Sequence, residues 1–202
     1  MQQSGDSAHP AGLSLRATVD ALTQAMVVWD EENFRHCQRT SEYAAAIARE
    51  MGIEGEAAEH IRIGALLHDI GKLGVDLAVL RKPGRLDRDE EERVRAHPGM
   101  GASILERVLP PAIVECAAAH HEQPDGQGYP RGLRGDQIPV GALICRVADV
   151  LDALTTAQAY RPAHSLEETL AELRDGAGTR YGAAAVEALS ALVERRTVSL
   201  AA

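Results

Sequence analysis

The sequence predicts an all-α fold, a compact bundle of about eight helices, and two observations lead to that prediction. Apolar residues recur at helical spacing along most of the chain, and no segment alternates apolar and polar residues as a half-buried strand does. The 202 residues are 45% apolar and 25% charged, which is typical of one globular domain. We expect that domain to span residues 15–196, between a flexible segment at 1–14 and a short tail at 197–202.

Apolar stripes predict the first three helices. Leu15 and Val19 open a stripe that ends near Trp29, and a second stripe runs over residues 36–51 before a glycine. A third helix is expected over residues 56–68. Each stripe indicates a helix with one face turned to a core.

Capping residues and prolines predict the bounds of the next helices. Asp87 and Glu90 match a capping box that opens a charged helix, and we expect Pro98 to kink or interrupt that helix before it resumes and continues to Val108. Pro111 fits the first turn of the following helix, which ends in a histidine pair.

The composition changes after that helix. Residues 122–137 contain four glycines and two prolines, which predicts a loop of a length that is usually functional. Helices are expected again over residues 139–155, from a second capping pair at Ser165 and Glu168 onward, and over residues 183–195.

Charge and composition exclude several classes of protein. Thirty acidic residues against 21 basic ones give a net charge of −9, and aromatic residues make up 3%, so binding to a nucleic acid polymer is not expected. No apolar run approaches the roughly 18 residues of a membrane span, and the N-terminus has no secretory pattern. Cys37, Cys116 and Cys145 form no CxxC pair, so we expect buried thiols in a reducing, cytoplasmic compartment.

Five histidines lie at helix ends or on apolar helix faces, and these are His36, His68, His97, His120 and His121. Each one alone is more typical of a core histidine. Together with Asp69, which follows His68, they indicate a metal site, because burying them without a cation is unfavourable. No cysteine accompanies them, which favours nitrogen and oxygen ligands over a structural zinc site.

The pattern becomes specific in four motifs, which are HDIGK at residues 68–72, HP at 97–98, HHE at 120–122 and DGQGYP at 125–130. In this order, and followed by Asp149 on a predicted helix, they closely resemble the HD-GYP family, a subgroup of the HD-domain metal-dependent phosphohydrolases. The resemblance extends from about Glu32 to the region of Tyr181. It implies an HD-domain-like helical bundle.

The resemblance also implies an enzyme that hydrolyses cyclic di-GMP to linear pGpG, and it leaves open whether GMP follows. In such enzymes a hydroxide that bridges two divalent metal ions attacks the phosphodiester. Two or three transition-metal ions are expected, iron or manganese first, with nickel, cobalt or zinc as alternatives. Matching the motifs residue by residue gives as metal ligands His36, His68, Asp69, His97, His120, His121 and Asp149. Asp69 would bridge two of the ions.

Lys72 and Glu32 have weaker assignments. Lys72, one turn after Asp69, would place a positive charge beside the scissile phosphate, and its alternative is a surface lysine. Glu32 lies four residues before His36, so the two side chains share one helix face, and the resemblance makes Glu32 a ligand of a third ion. Its alternative is a solvated acidic run at a helix start.

The glycine-rich loop is expected to cover the substrate. Gly128 would let the backbone approach a ligand, and Tyr129 offers a ring for stacking and a hydroxyl for a phosphate. The resemblance gives Arg161 a contact to a phosphate or a guanine edge. Gln158 stands where the family usually has arginine, so one charged contact is missing and the substrate stays open.

Two other functions remain open. One is the same chemistry on another cyclic dinucleotide or on a nucleotide, and the other is a catalytically weak module that binds a nucleotide or a partner. The complete set of candidate ligands disfavours the second. No sensor domain fits before His36, so we expect regulation through a homodimer or a separate protein.

Overall fold

The computed structural model of this chain describes residues 14–157 and 162–195, which form ten α-helices and two short 3-10 helices. In chain order the α-helices are α1 (Leu15–Trp29), α2 (Glu31–Glu50), α3 (Gly55–Leu66), α4 (Leu77–Leu80), α5 (Arg88–Arg95), α6 (His97–Leu105), α7 (Pro111–Ala119), α8 (Val140–Thr155), α9 (Leu166–Asp175) and α10 (Ala183–Glu194). The 3-10 helices are Ile70–Gly74 and Gly135–Gln137. The predicted all-α fold is confirmed, since these residues contain no strand beyond one isolated bridge.

The flanking segments predicted at 1–14 and 197–202 lie outside the described residues, apart from Ser14, which caps α1. None of the helices in the described part of the chain is both long and apolar enough to cross a membrane. The three cysteines are buried free thiols, as expected.

Both predicted capping boxes are present, one at the start of α5 and one at the start of α9. α2 begins at Glu31, earlier than its apolar stripe, because the Asp30 carboxylate accepts hydrogen bonds from the backbone N–H groups of Glu32 (3.1 Å) and Asn33 (3.4 Å). This early start brings His36 into the interior of a regular helix.

Of the two outcomes expected at Pro98, a kink or an interruption, the structure shows the interruption. The stretch forms two helices, α5 and α6, which divide at Ala96. Pro98 lies in the first turn of α6, where its missing N–H leaves no intrahelical hydrogen bond unmade. The proline therefore opens a helix and does not bend one. The four-residue α4, capped by Asp76, was not predicted.

The two larger of the three buried apolar clusters in the described residues hold most of the helices together. The first joins α2, α8, α9 and α10 and includes Ile47, Leu151 and Leu189. The second joins α1, α3, α6 and α7 and includes Met26, Leu105 and Ile113. α2 packs against both α3 and α8, so the two clusters meet along it.

Candidate metal centre

The His68–Asp69 pair lies in the turn between α3 and the 3-10 helix Ile70–Gly74. A Cβ atom built on Gly71 would lie 1.9 Å from the carbonyl oxygen of His97, so only glycine allows this turn to pack against the start of α6. This close approach brings His68, Asp69 and His97 together, although they come from different elements.

Three of the histidines are held by their own backbone. Nδ1 of His68, His97 and His120 each lies 2.7 Å from the carbonyl oxygen three residues earlier in the chain, so Nδ1–H donates to that oxygen and Nε2 keeps its lone pair. The Nε2 atoms of His97 and His120 lie 3.2 Å apart. These rings therefore present acceptor nitrogens to one another across the site.

The carboxylate of Asp69 faces two groups of candidate ligands. Its Oδ2 atom lies 3.5 Å from Nε2 of His68, and its Oδ1 atom lies 3.3 Å from Nε2 of His97. The Asp69 side chain is 2% exposed, so these oxygens have little access to water. One oxygen toward each group is the arrangement that a bridging carboxylate requires.

Within the described residues, two sets of ligand atoms lie close enough to hold an ion. His36, His68 and Asp69 form one set and His97, His120 and His121 the other, with the ligand atoms of each set within 4.8 Å of one another. Neutral imidazole nitrogen and carboxylate oxygen are donors that divalent transition metals accept. The residues present thus fit two such ions.

His36 and Asp149 connect α2 with α8. Nε2 of His36 lies 3.1 Å from Oδ1 of Asp149, and Nδ1 of His36 lies 2.7 Å from Oδ2 of Asp152. Burial lowers the pKa of His36, but the hydrogen bonds to both carboxylates outweigh burial and raise that pKa to about 9. Burial alone would raise the pKa of Asp149, but its hydrogen bond with His36 and the neighbouring imidazoles together lower it.

The other pKa values favour ligand chemistry. Burial lowers the pKa of His121 to about 3 and holds the pKa of His120 well below its usual range, so both imidazoles are neutral at pH 7. Burial by itself would raise the pKa of Asp69, but Lys72 and the neighbouring imidazoles together outweigh burial and hold it well below its usual value. Neutral imidazoles and an ionised carboxylate are the forms that bind a metal ion.

Lys72 is inside the site and is not a surface lysine. Its Nζ donates to Oδ2 of Asp69 at 2.5 Å and to Oδ1 of Asn33 at 3.4 Å, and its side chain is 23% exposed. The ammonium group is thus fixed beside the candidate bridging carboxylate.

Glu32 stands apart from the two ligand sets. It is exposed in the first turn of α2, and neither set of clustered ligand atoms in the described residues includes it. Its position one turn before His36 is as predicted, and its role as a ligand stays a prediction.

Glu122 folds the glycine-rich loop back onto α7. Its buried carboxylate accepts the backbone N–H groups of Arg131 at 2.7 Å and Leu133 at 2.9 Å. A Cβ atom built on Gly128 would lie 2.3 Å from the backbone nitrogen of Gln123. Gly128 is therefore required for the fold of the loop itself, whereas we expected it to serve a ligand.

The Tyr129 ring has two close neighbours. It stacks on His121 with centroids 4.7 Å apart, and the Arg95 guanidinium lies 4.2 Å from the ring centroid. A substrate base that stacks on the face over which Arg95 lies would have to displace that guanidinium.

Sequence reasoning gave no role to several side chains that support the site. Asp152 lies one turn after Asp149, and Arg39 lies one turn after His36, so helical spacing from the predicted ligands could have found both. Glu122 is the last letter of the HHE motif. Arg146 lies one turn before Asp149, so the same spacing could have found it. The predicted substrate residues Gln158 and Arg161 lie outside the described residues.

Several known proteins are similar to this chain in sequence. The sequence profile described as HD domain matches residues 22–185. A cyclic di-GMP phosphodiesterase from Thermotoga maritima is 39% identical over 171 residues, which are 83% of this chain and 46% of the relative. The 3'3'-cGAMP-specific phosphodiesterase 3 from Vibrio cholerae is 41% identical over 145 residues, 71% of this chain and 32% of the relative. The chain thus spans about a third to a half of the length of these curated relatives.

A solved structure shares the fold. Bd1817, an HDG"Y"P protein from Bdellovibrio bacteriovorus, superimposes with a TM-score of 0.67 at 19% identity, over 89% of this chain and 63% of that one. At this identity the likeness concerns the arrangement of the helices.

Proposed function

Because this chain belongs to the HD-domain family, as its HD-GYP motifs predicted, we propose that it is a metal-dependent phosphodiesterase that opens cyclic di-GMP to linear pGpG. The observation that carries the proposal is the convergence of two sets of ligand atoms on the Asp69 carboxylate. A protein that only binds nucleotides has no need of such a set.

The proposed ligands are those that the motifs predict, which are His36, His68, Asp69, His97, His120, His121 and Asp149, with Glu32 toward a third ion. Divalent ions held there would activate a water molecule as nucleophile and neutralise charge on the phosphoryl oxygens. We propose two or three ions, iron or manganese. Their donors are nitrogen and oxygen, in agreement with that choice.

Lys72 and the glycine-rich loop act on the substrate side. The Lys72 ammonium group, already held beside Asp69, would stabilise negative charge that develops on the phosphoryl oxygens. The loop anchored by Glu122 would cover the bound substrate and exclude water from the reacting phosphate. We propose the cytoplasm as the compartment, supported by the three buried free thiols, and a homodimer or a separate protein as regulator.

A second substrate is favoured by one observation. The relative with 41% identity is named for 3'3'-cGAMP, and Gln158 lacks the charge that the family usually places there. The same chemistry on a mixed cyclic dinucleotide is therefore the second candidate function.

The test is a metal and activity assay on protein purified without chelator. We expect at least two ions per chain after loading with Fe(II) or Mn(II), and hydrolysis of cyclic di-GMP. Asp69→Ala should lose both ions and the activity, because its carboxylate faces both ligand sets. His60→Ala is the matched control, since His60 on α3 belongs to neither set.

Three outcomes separate the candidates. Fewer than one ion per chain after loading would contradict the metal centre. Full occupancy in Asp69→Ala would contradict the bridging role alone. Faster hydrolysis of 3'3'-cGAMP than of cyclic di-GMP would move the substrate to the second candidate.

A further inference from the structure

We propose that Arg146 binds a phosphate group of the substrate, which makes it a substrate-binding residue of this phosphodiesterase. The inference deepens the proposed function and rests on it. Arg146 lies on α8, one turn before Asp149, and its Nη1 atom is 3.4 Å from Nδ1 of His121. Its charge therefore lies at the edge of the metal centre.

The charge of Arg146 has no anionic partner within the described residues. Among the described residues, every other arginine either has a carboxylate within 4.0 Å or is exposed, whereas Arg146 is partly buried and has none. The carbonyl oxygen of Arg180 accepts from its Nε at 3.1 Å, and the Tyr181 ring lies 5.5 Å from its Cζ. A partly buried cation without an anion is costly, so its position favours an anionic ligand.

The guanidinium of Arg146 also has N–H groups that can donate to a ligand. Of its five N–H groups, one serves the Arg180 carbonyl and one faces His121, which leaves three. Their planar arrangement suits the oxygens of a phosphate.

If His121 binds a metal ion, its Nδ1 atom can no longer accept a hydrogen bond from Arg146. A histidine that binds an ion through Nε2 carries hydrogen on Nδ1, and one that binds through Nδ1 has no lone pair left there. In either case Nδ1 of His121 stops accepting from Arg146. A fourth donor then becomes available for the substrate.

Arg146 also lies on the side of the glycine-rich loop. The Tyr129 ring of this loop stacks on His121 with centroids 4.7 Å apart, and Arg146 contacts the same histidine. A phosphate bound there would lie between the metal ligands and the loop.

The test compares Arg146→Met with Arg180→Met in the metal-loaded full chain. Arg180 is the matched control because its guanidinium lies 5.3 Å from the same Tyr181 ring but pairs with Glu172 and Asp175. Binding of a slowly hydrolysed phosphorothioate analogue of cyclic di-GMP is measured by calorimetry. Arg146→Met should weaken binding roughly 10- to 100-fold, the usual value of a charge-assisted hydrogen bond.

Two further readouts separate substrate binding from a structural role. Metal content and thermal midpoint should match the wild type, and KM for cyclic di-GMP should rise while kcat changes little. Arg146→Gln, which keeps hydrogen-bond donors without the charge, is the second variant if Arg146→Met does not fold, and the same loss is expected.

The outcomes distinguish the role of Arg146 from the proposed function. Unchanged binding in either Arg146 variant, or an equal loss in Arg180→Met, would overturn the role of Arg146 and leave the proposed function intact. A wild type that neither binds the analogue nor hydrolyses cyclic di-GMP would overturn the proposed function, and the role of Arg146 with it.

Discussion

At His36, unlike at the other candidate histidine ligands, the Nδ1 atom contacts a carboxylate side chain. A backbone carbonyl holds Nδ1 of His68, but Nδ1 of His36 lies 2.7 Å from the Asp152 carboxylate. That carboxylate is held in turn by Arg39, through Nε at 2.6 Å and Nη2 at 2.9 Å. Partners of this kind fix the ring and raise the basicity of a metal ligand.

Asp152→Asn should therefore lower metal affinity by roughly 10- to 100-fold, because the ring of His36 loses its charged acceptor. Competition with a chelator of known affinity measures the change. Asp136→Asn makes the same chemical change at an exposed position and should leave affinity as in the wild type. Wild-type affinity in Asp152→Asn would show that packing alone orients His36.

Glu32 tests whether a third ion is present. If its carboxylate is a ligand, Glu32→Gln should lower the metal content by about one ion per chain and leave the other two in place, because the two clustered ligand sets do not include it. Elemental analysis after loading measures this. Glu31→Gln, whose carboxylate pairs with Arg35 at 2.6 Å, is the neighbouring control. Equal metal content in the wild type and Glu32→Gln would make Glu32 part of a solvated acidic run.

At the scale of an element, the glycine-rich loop depends on one buried carboxylate. Glu122→Gln replaces an oxygen that accepts a backbone N–H of Arg131 or Leu133 by an NH₂ group, which leaves two donors facing each other. We expect a loss of about 1–3 kcal/mol in the free energy of unfolding, measured by denaturant titration, and a higher KM. Glu115→Gln removes only an exposed pair with Arg131 and should change neither. Wild-type stability in Glu122→Gln would mean that the loop folds without this anchor.

The helices could be predicted because their signals are local. Apolar stripes and the two capping boxes specify α1, α2, α5 and α9 within a few residues, and the motif letters predict the candidate ligands. The contact between His36 and Asp152 joins positions 116 residues apart, and no local rule relates them. Pro98 shows where local rules stop being sufficient. A proline that bends a helix and a proline that opens a new helix differ only in where the preceding helix ends.

At the scale of the whole molecule, the candidate metal centre brings together residues from helices of both apolar clusters. His36 and Asp149 come from α2 and α8, which help to form the first cluster, while His97 and the histidine pair adjoin α6 and α7 of the second. Ions bound by all of them would tie the clusters together. Since the unfolded chain does not assemble this ligand set, metal binding should stabilise the folded state.

The size of this stabilisation can be estimated. Metal at 100 times its dissociation constant adds about 2.7 kcal/mol for one site, which for a domain of this size corresponds to a rise in Tm of roughly 5 to 10 °C. Scanning calorimetry of metal-loaded protein, before and after EDTA, should show that difference. In Asp69→Ala the two scans should coincide, because both sets lose their shared carboxylate. A Tm of the wild type that does not respond to EDTA, with metal loss verified by elemental analysis, would show that the helices hold the two clusters together without help from the ions.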